Sequence, residues 1–329
     1  MSGATISVAM ATCEGARYLE AQLESLCAQT RLPDELILCD DASSDPTPDI
    51  AEAFARRAPF AVRIERNPNR LGITGNFEQA VSLCSGDLIF LADQDDVWQE
   101  TKLENLSRVL VDDPAVGAVF CNGEVVDEVL APLGHDLWQA LAFTPAEQAR
   151  VRAGDAVAVF LKHVVAAGST MAFRASYREL LLPFPALHSA HDAWIAFLIA
   201  SVAEVRILDE RLIHYRVHGE NTFGIRKLSF REQLEKAREQ LTLSAFAYAV
   251  DFFSAARERL GASEVAGGPM ASAVALELVE DKIRHARCRD EMSSTLHRRL
   301  PAMLREALSG RYARYSYGAR SFAQDVFLR

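Results

Sequence analysis

The sequence predicts an α/β protein with a doubly wound, mostly parallel sheet over residues 1–224 and a helical C-terminal region over 225–329. Three observations carry this. Short β-rich apolar runs alternate with helical stretches through the first hundred residues, the pattern of βα repeats that winds a parallel sheet. Several of those runs end in polar or acidic residues, where open α/β sheets place their ligands. After Gly224 the composition changes to long helical stretches broken by glycine and proline.

The elements follow in order. Ile6–Ala11 reads as the first strand, and Tyr18–Gln29 as a helix with Leu19, Leu23 and Leu26 on one face. Leu36–Cys39 is a second buried-strand run, ending in Asp40-Asp41 and the turn-rich Ala42–Pro48, after which a helix over Asp49–Arg57 is expected. Ala61–Ile64 reads as the third strand, Asn76–Cys84 as a helix and Asp87–Ala92 as the fourth strand. Further along, Val116–Phe120, Ser169–Phe173, Val205–Leu208 and Leu212–Tyr215 read as strands, with antiparallel additions to the sheet expected there. Ala156–Lys162 and His191–Ala203 read as helices. The C-terminal region should hold helices over Phe230–Leu260, Met270–Asp290 and Thr295–Ser309, broken at Gly261, Gly267-Gly268-Pro269 and Pro301.

Composition narrows the function. Half of the 329 residues are hydrophobic and 24% charged, and no apolar stretch approaches the roughly 20 residues that span a bilayer. The N-terminus lacks the basic segment of a secretory signal, so a cytoplasmic protein is expected. Six scattered cysteines without Cys-x-x-Cys spacing are expected to be buried, reduced thiols. The net charge is −10, but the segment from Asp281 to Arg329 holds eleven Lys or Arg against five Asp or Glu, about +6. An acidic body argues against nucleic-acid binding. The basic tail suits peripheral contact with the inner face of the plasma membrane, or reads as a solvated helical face.

The stretch Asp93-Gln94-Asp95-Asp96 sets three carboxylates directly after the apolar run Leu88–Ala92. That suits a hard divalent cation, Mg²⁺ or Mn²⁺, whose remaining ligands come from substrate phosphates. The alternative is an acidic loop capping a helix over Trp98–Val111. Neither Gly-x-Gly-x-x-Gly after the first strand nor Gly-x-x-x-x-Gly-Lys-Ser/Thr occurs, so a dinucleotide dehydrogenase or P-loop enzyme finds no support.

The series Val8-Ala9-Met10-Ala11-Thr12, Asp40-Asp41-Ala42-Ser43-Ser44-Asp45, Asn76-Phe77, Asp93-Gln94-Asp95-Asp96-Val97-Trp98, Gly168-Ser169-Thr170, His191-Asp192-Ala193-Trp194 and Tyr215-Arg216-Val217-His218 resembles family-2 inverting glycosyltransferases, in the family's order. The Asp-Gln-Asp-Asp-Val-Trp form is similar to bacterial rhamnosyltransferase-like members that build surface polysaccharides. The resemblance implies a glycosyltransferase A-type fold that uses a nucleoside-diphosphate sugar with Mg²⁺ or Mn²⁺. It assigns Thr12, Glu14, Asn76 and Asp41 to the donor nucleotide, Asp93 to the ribose, Asp95 and His218 to the metal, and Asp192 to the general base. For Asp192 the alternative is an N-cap of the helix that it begins. Arg216 suits the diphosphate or an ordinary ion pair.

The chain departs from the family pattern at Cys13, where an aromatic is common, and at Ala42 and Pro46, which replace loop glycines. Asp40 and Asp45 rank below Asp41, as residues that tie down the loop and the next helix. The expected reaction moves a sugar, with dTDP-rhamnose as one candidate donor, to a glycan or polyprenyl-linked acceptor. A nucleotidyltransferase or a noncatalytic glycan-binding scaffold of the same fold are the alternatives. For the C-terminal helices three roles stay open, packing on the catalytic domain, forming a homodimer or contacting a membrane.

Overall fold

The structure, a computed structural model, describes residues 3–187, 191–219, 245–265 and 268–327. Two compact units emerge, one built from residues 1–154 and 165–225, the other from 155–164 and 226–329.

The first unit is wound around strands β1 (Ile6–Thr12), β2 (Glu35–Asp40), β3 (Ala61–Arg66) and β4 (Leu88–Asp93), which lie side by side in the order β3-β2-β1-β4, all parallel. The helices between them are α1 (Leu19–Cys27), α2 (Thr47–Ala55) and α3 (Gly72–Leu83). Strand side chains alternate between faces, so Ile6, Val8 and Met10 enter one core with Leu19 and Leu23 of α1 and Phe54 of α2. The opposite face carries Ala9, Ile37 and Leu91 and receives α3 through Phe77 and Val81. Burial on both faces is why these strands read as continuous apolar runs.

The sheet continues through β8 (Met171–Arg174), antiparallel to both β4 and β6 (Val116–Val126), and β6 then pairs in parallel with β9 (Glu204–Arg216). A two-residue strand, β5 (Val97–Trp98), closes the far edge against β9, and β7 (Pro132–Asp136) pairs with β6. Through these pairings β6 and β9 run parallel to the first four strands, so of the antiparallel additions expected here only β8 is antiparallel, joined by the short β5 and β7.

Several local expectations need correction. Val205–Leu208 and Leu212–Tyr215 are one strand, because the register jumps from Cys121↔Leu208 to Asn122↔Arg211 and leaves Asp209 and Glu210 as a bulge. The helix expected from Trp98 starts at Lys102, since Val97 and Trp98 are drawn into the sheet by His214 and Ile213. α3 starts four residues earlier than expected, with the Leu71 and Gly72 amides donating to Asp41 at the end of β2. Neither Gly261 nor Pro301 breaks a helix: Ala245–Val265 runs through the first and Leu296–Leu308 through the second. At the sixth residue of its helix, Pro301 forfeits about one backbone hydrogen bond. The stretch 230–244 of the expected Phe230–Leu260 helix lies outside the described residues.

In the second unit the helices Ala245–Val265, Ala273–Asp290, Leu296–Leu308, Arg311–Tyr315 and Ala319–Phe327 pack around charged residues as well as apolar ones. Arg289 makes a two-pronged pair with Asp325 at 2.7 and 2.9 Å, and Arg299 donates to the carbonyls of Asp325 and Val326. His285 sits between Glu306 and Ser316, and Lys282 donates to the Tyr315 carbonyl. Part of the basic tail is therefore internal, not a solvated face.

Candidate active site

The register of the parallel strands assembles the site. Thr12 stands beside Asp40, and Ala11 beside Asp93, so the carboxyl ends of β1, β2 and β4 present their polar residues at one edge.

On the β1–β2 side most polar atoms are engaged with protein. The Asp41 carboxylate accepts from Asn67 and from the Leu71 and Gly72 amides, which fixes the start of α3. Asn76 donates to the carbonyls of Thr12 and Cys39 and clamps the two strand ends together. Thr12 donates to Asp40, whose carboxylate also takes the Ser43 amide and hydroxyl and so closes the loop. Asp45 accepts from the Thr47 amide and hydroxyl at the start of α2. Asp41, Asn76 and Thr12 are all buried, and they form the floor of this edge. Glu14 is the partly exposed member: Ser44, Asp45 and Arg70 hold its carboxylate, and the hydrogen bonds from Ser44 and the Asp45 amide, the Ser44 amide first, depress its pKa. Of the six cysteines, Cys39, Cys84 and Cys121 are buried, whereas Cys13, Cys27 and Cys288 are partly exposed. Burial raises the pKa of the Cys13 thiol.

Gln94, which the sequence reading passed over between its acidic neighbours, joins the two halves. Its amide accepts from the Cys13 N–H at 2.8 Å and donates to the Cys13 carbonyl at 3.0 Å. A side chain at Gly15 would collide with that amide.

On the β4 side, Asp95 Oδ2 and His218 Nε2 meet at 2.9 Å across 123 positions of sequence. Arg216 organises this corner: its amide donates to Asp96 Oδ1, its Nε to the Asp95 carbonyl and its Nη1 to the Glu128 carbonyl, while its guanidinium lies 4.7 Å over the Tyr18 ring. The sequence left a diphosphate contact or an ordinary ion pair open for Arg216. The structure buries it behind the acidic loop, against the backbone.

The acidic cluster carries strong mutual repulsion. Burial, then Asp95 and Asp192, pushes the Asp93 carboxyl up to about 7. Burial followed by Asp95 and Asp93 raises Asp96 well above the carboxylate range, and its Oδ2 has no hydrogen-bond partner. Beneath them lies Lys102, fully buried, donating to the Ser169 carbonyl and sitting 3.4 Å over the Trp98 ring. Burial lowers its pKa to about 8. Sequence reasoning missed Lys102, because a lysine at a helix start ordinarily faces water.

Asp192 stands in the first turn of α4 (His191–Val202), its carboxylate accepting from the Ala193 amide. Gly168 lets it approach: a Cβ there would stand 3.2 Å from His191 Nε2, 3.6 Å from Asp192 Cβ and 3.7 Å from Leu91 of β4. His191 is buried, stacks on Phe77 with ring centres 4.3 Å apart, and is held neutral by desolvation.

No group of three or more His, Cys, Asp or Glu among the described residues forms a ready cation cage. The pair Asp95 Oδ2 and His218 Nε2 does fit two neighbouring positions on an octahedral ion, whose ligands at about 2.1 Å lie roughly 3 Å apart. The orphaned Asp96 oxygen and the raised Asp93 pKa mark negative charge that a cation would relieve.

Strand-end polar shelves, an acidic loop after β4 and a carboxylate on a later helix define a glycosyltransferase A-type fold. Residues 7–178 match the sequence profile of glycosyl transferase family 2, and the chain belongs to that family. It is 26% identical over 245 residues to an uncharacterised glycosyltransferase of Nostoc sp., covering 73% of each chain. It is 35% identical over 106 residues to the dTDP-rhamnosyl transferase RfbG of Shigella flexneri, covering 31% of this chain and 37% of RfbG. Among solved structures it superposes on a mannosyltransferase of Pyrobaculum calidifontis, in complex with GDP-mannose and Mn²⁺, with TM-score 0.54 and 17% identity, covering all of this chain and 86% of that one.

Proposed function

We propose that this glycosyltransferase moves a sugar from a nucleoside-diphosphate donor to a hydroxyl of a glycan or polyprenyl-linked acceptor in one inverting displacement, assisted by Mg²⁺ or Mn²⁺. The observation that carries the reading is the Asp95–His218 pair beside Asp93, with Asp192 near enough to Asp93 to raise its pKa.

Asp192 serves as the base. The acceptor oxygen attacks the anomeric carbon, the bond to the diphosphate breaks, and the hydroxyl proton passes to the Asp192 carboxylate. Inversion follows from the single attack. Glu14 and Asp93 face the donor, while Thr12, Asn76 and Asp41 hold the strand ends in register beneath it, and Arg216 fixes the loop that carries Asp95. Asp95 and His218 would hold the cation, which when bound supplies Lewis-acid neutralisation of the departing diphosphate. A dTDP-activated deoxysugar such as dTDP-rhamnose is the donor to try first. It is supported by the Asp-Gln-Asp-Asp-Val-Trp stretch and the likeness to RfbG.

Two measurements test this. In a thermal-shift panel of nucleoside diphosphates, one of them should raise the melting temperature, and raise it further with Mn²⁺. Asp192→Asn should keep that shift and lose about 100-fold or more in turnover. A shift confined to triphosphates, or full turnover by Asp192→Asn, would refute the reading.

A further inference from the structure

The helix Leu296–Leu308 is turned inside out. Its buried residues are Arg299, Met303 and Glu306, whereas Leu296, Leu300, Leu304 and Leu308 are 44%, 40%, 47% and 89% exposed. Spaced four apart at about 100° per residue, these leucines sweep an arc of roughly 120° along a stripe about 18 Å long. Arg305 and Arg298, both exposed, lie roughly 60° and 80° beyond the Leu308 side of that arc. The one acid of the helix, Glu306, is turned inward to His285 and Arg311, so the outer surface, which also carries exposed His297, holds no carboxylate. The inversion has a local cause: Arg299 is needed inside to bond the carbonyls of Asp325 and Val326, and that demand rotates the leucines outward.

We infer that this stripe is a membrane-contact face, with the four leucines entering the headgroup boundary of an anionic bilayer and Arg298 and Arg305 meeting lipid phosphates. The chemistry of an interfacial helix is an apolar arc rimmed by basic residues. No helix among the described residues is long and apolar enough to cross a membrane, so the contact is one of surface insertion. A second copy of the chain is the poorer occupant. Together the leucines expose about two leucines' worth of surface, well below the roughly 800 Å² per partner that a stable dimer buries. Two arginines facing their symmetry mates would add repulsion. The contact stands independently of the donor and cation reading, and predicts binding with both a salt-sensitive and a salt-resistant part.

Co-sedimentation of the full chain with phosphatidylcholine vesicles, with or without 30% phosphatidylglycerol, tests the face. Anionic vesicles should bind at least tenfold more protein at 0.1 M salt, and a measurable fraction should stay bound at 0.5 M. Leu300→Glu with Leu304→Glu should cut binding at least tenfold with helix content unchanged by circular dichroism. Leu308→Glu, at a nearly fully exposed position, gives the same reading should the double variant misfold. Arg298→Gln with Arg305→Gln should remove most of the salt dependence. Wild-type protein that ignores anionic vesicles, or leucine variants that bind as well as wild type, would overturn the inference. So would a dimer by light scattering that the leucine variants dissociate while vesicle binding is unchanged.

Discussion

Ala42 shows how a single residue can strain the loop after β2. It takes φ of 55°, the left-handed region where a Cβ costs roughly 1–2 kcal/mol. Ala42→Gly should relieve that strain, while the extra freedom of glycine in the unfolded chain takes back about 0.4–1 kcal/mol. A net gain of about 0.5–1 kcal/mol is expected, read as a higher urea midpoint at unchanged slope. Glu14, at φ 49°, holds a similar conformation but spends it on a carboxylate tied to Ser44, Asp45 and Arg70. Glycine there would relax the backbone and dismantle the loop together. Identical backbone conformations therefore carry opposite expectations, decided by what each side chain touches.

At the scale of elements, α4 matters most because it carries Asp192. It packs on β6 at Gly117, where a Cβ would stand 2.6 Å from Ile199 Cγ2 and 2.8 Å from Ala203 Cβ. Gly117→Ala must push the helix off the sheet, at a cost of about 1–3 kcal/mol. Melting temperature and turnover should fall together, whereas the diphosphate-induced shift should persist, since Glu14 and Asp93 lie on other elements. The same elements show what the sequence could reveal. The four βα repeats were readable because both faces of β1, β2 and β4 are buried and their runs are uniformly apolar. β9 was read as two strands because a bulge of Asp209 and Glu210 interrupts its apolar pattern. β7 went unseen because Pro132, Gly134 and His135 give an exposed edge strand no periodicity. The helix Pro145–Arg152 was overlooked although Thr144 and Glu147 form the capping box that announces it. In the site, the ordered motifs brought Asp95 and His218 together on paper. Gln94, Lys102 and His191 gained their places only through strands and helices distant in sequence.

Over the whole molecule, the helical unit is built differently from the sheet unit, with ionisable groups inside its core. His285 is neutral there: burial pushes its pKa down to about 4, its Nδ1–H donates to Glu306 and its Nε2 accepts from Ser316. The unfolded chain binds a proton at this residue below about 6.5 and the folded chain does not until about 4. Its stabilisation is therefore complete above pH 6.5 and lost as pH falls toward 4, by about 3 kcal/mol at most. The melting temperature should drop across that window, and His285→Gln should flatten the drop. The buried pair of Arg289 and Asp325 acts on a different axis, that of synthesis. Asp325 holds Arg289 and, through its carbonyl, Arg299, and it also accepts from the Tyr312 hydroxyl at 2.7 Å. Until residue 325 has emerged from the ribosome, two guanidiniums destined for the interior lack these partners, and a buried charge without its partner costs several kcal/mol. The helical unit must wait until residue 325 has been made, so a product cut short before it is left with an unfinished helical unit.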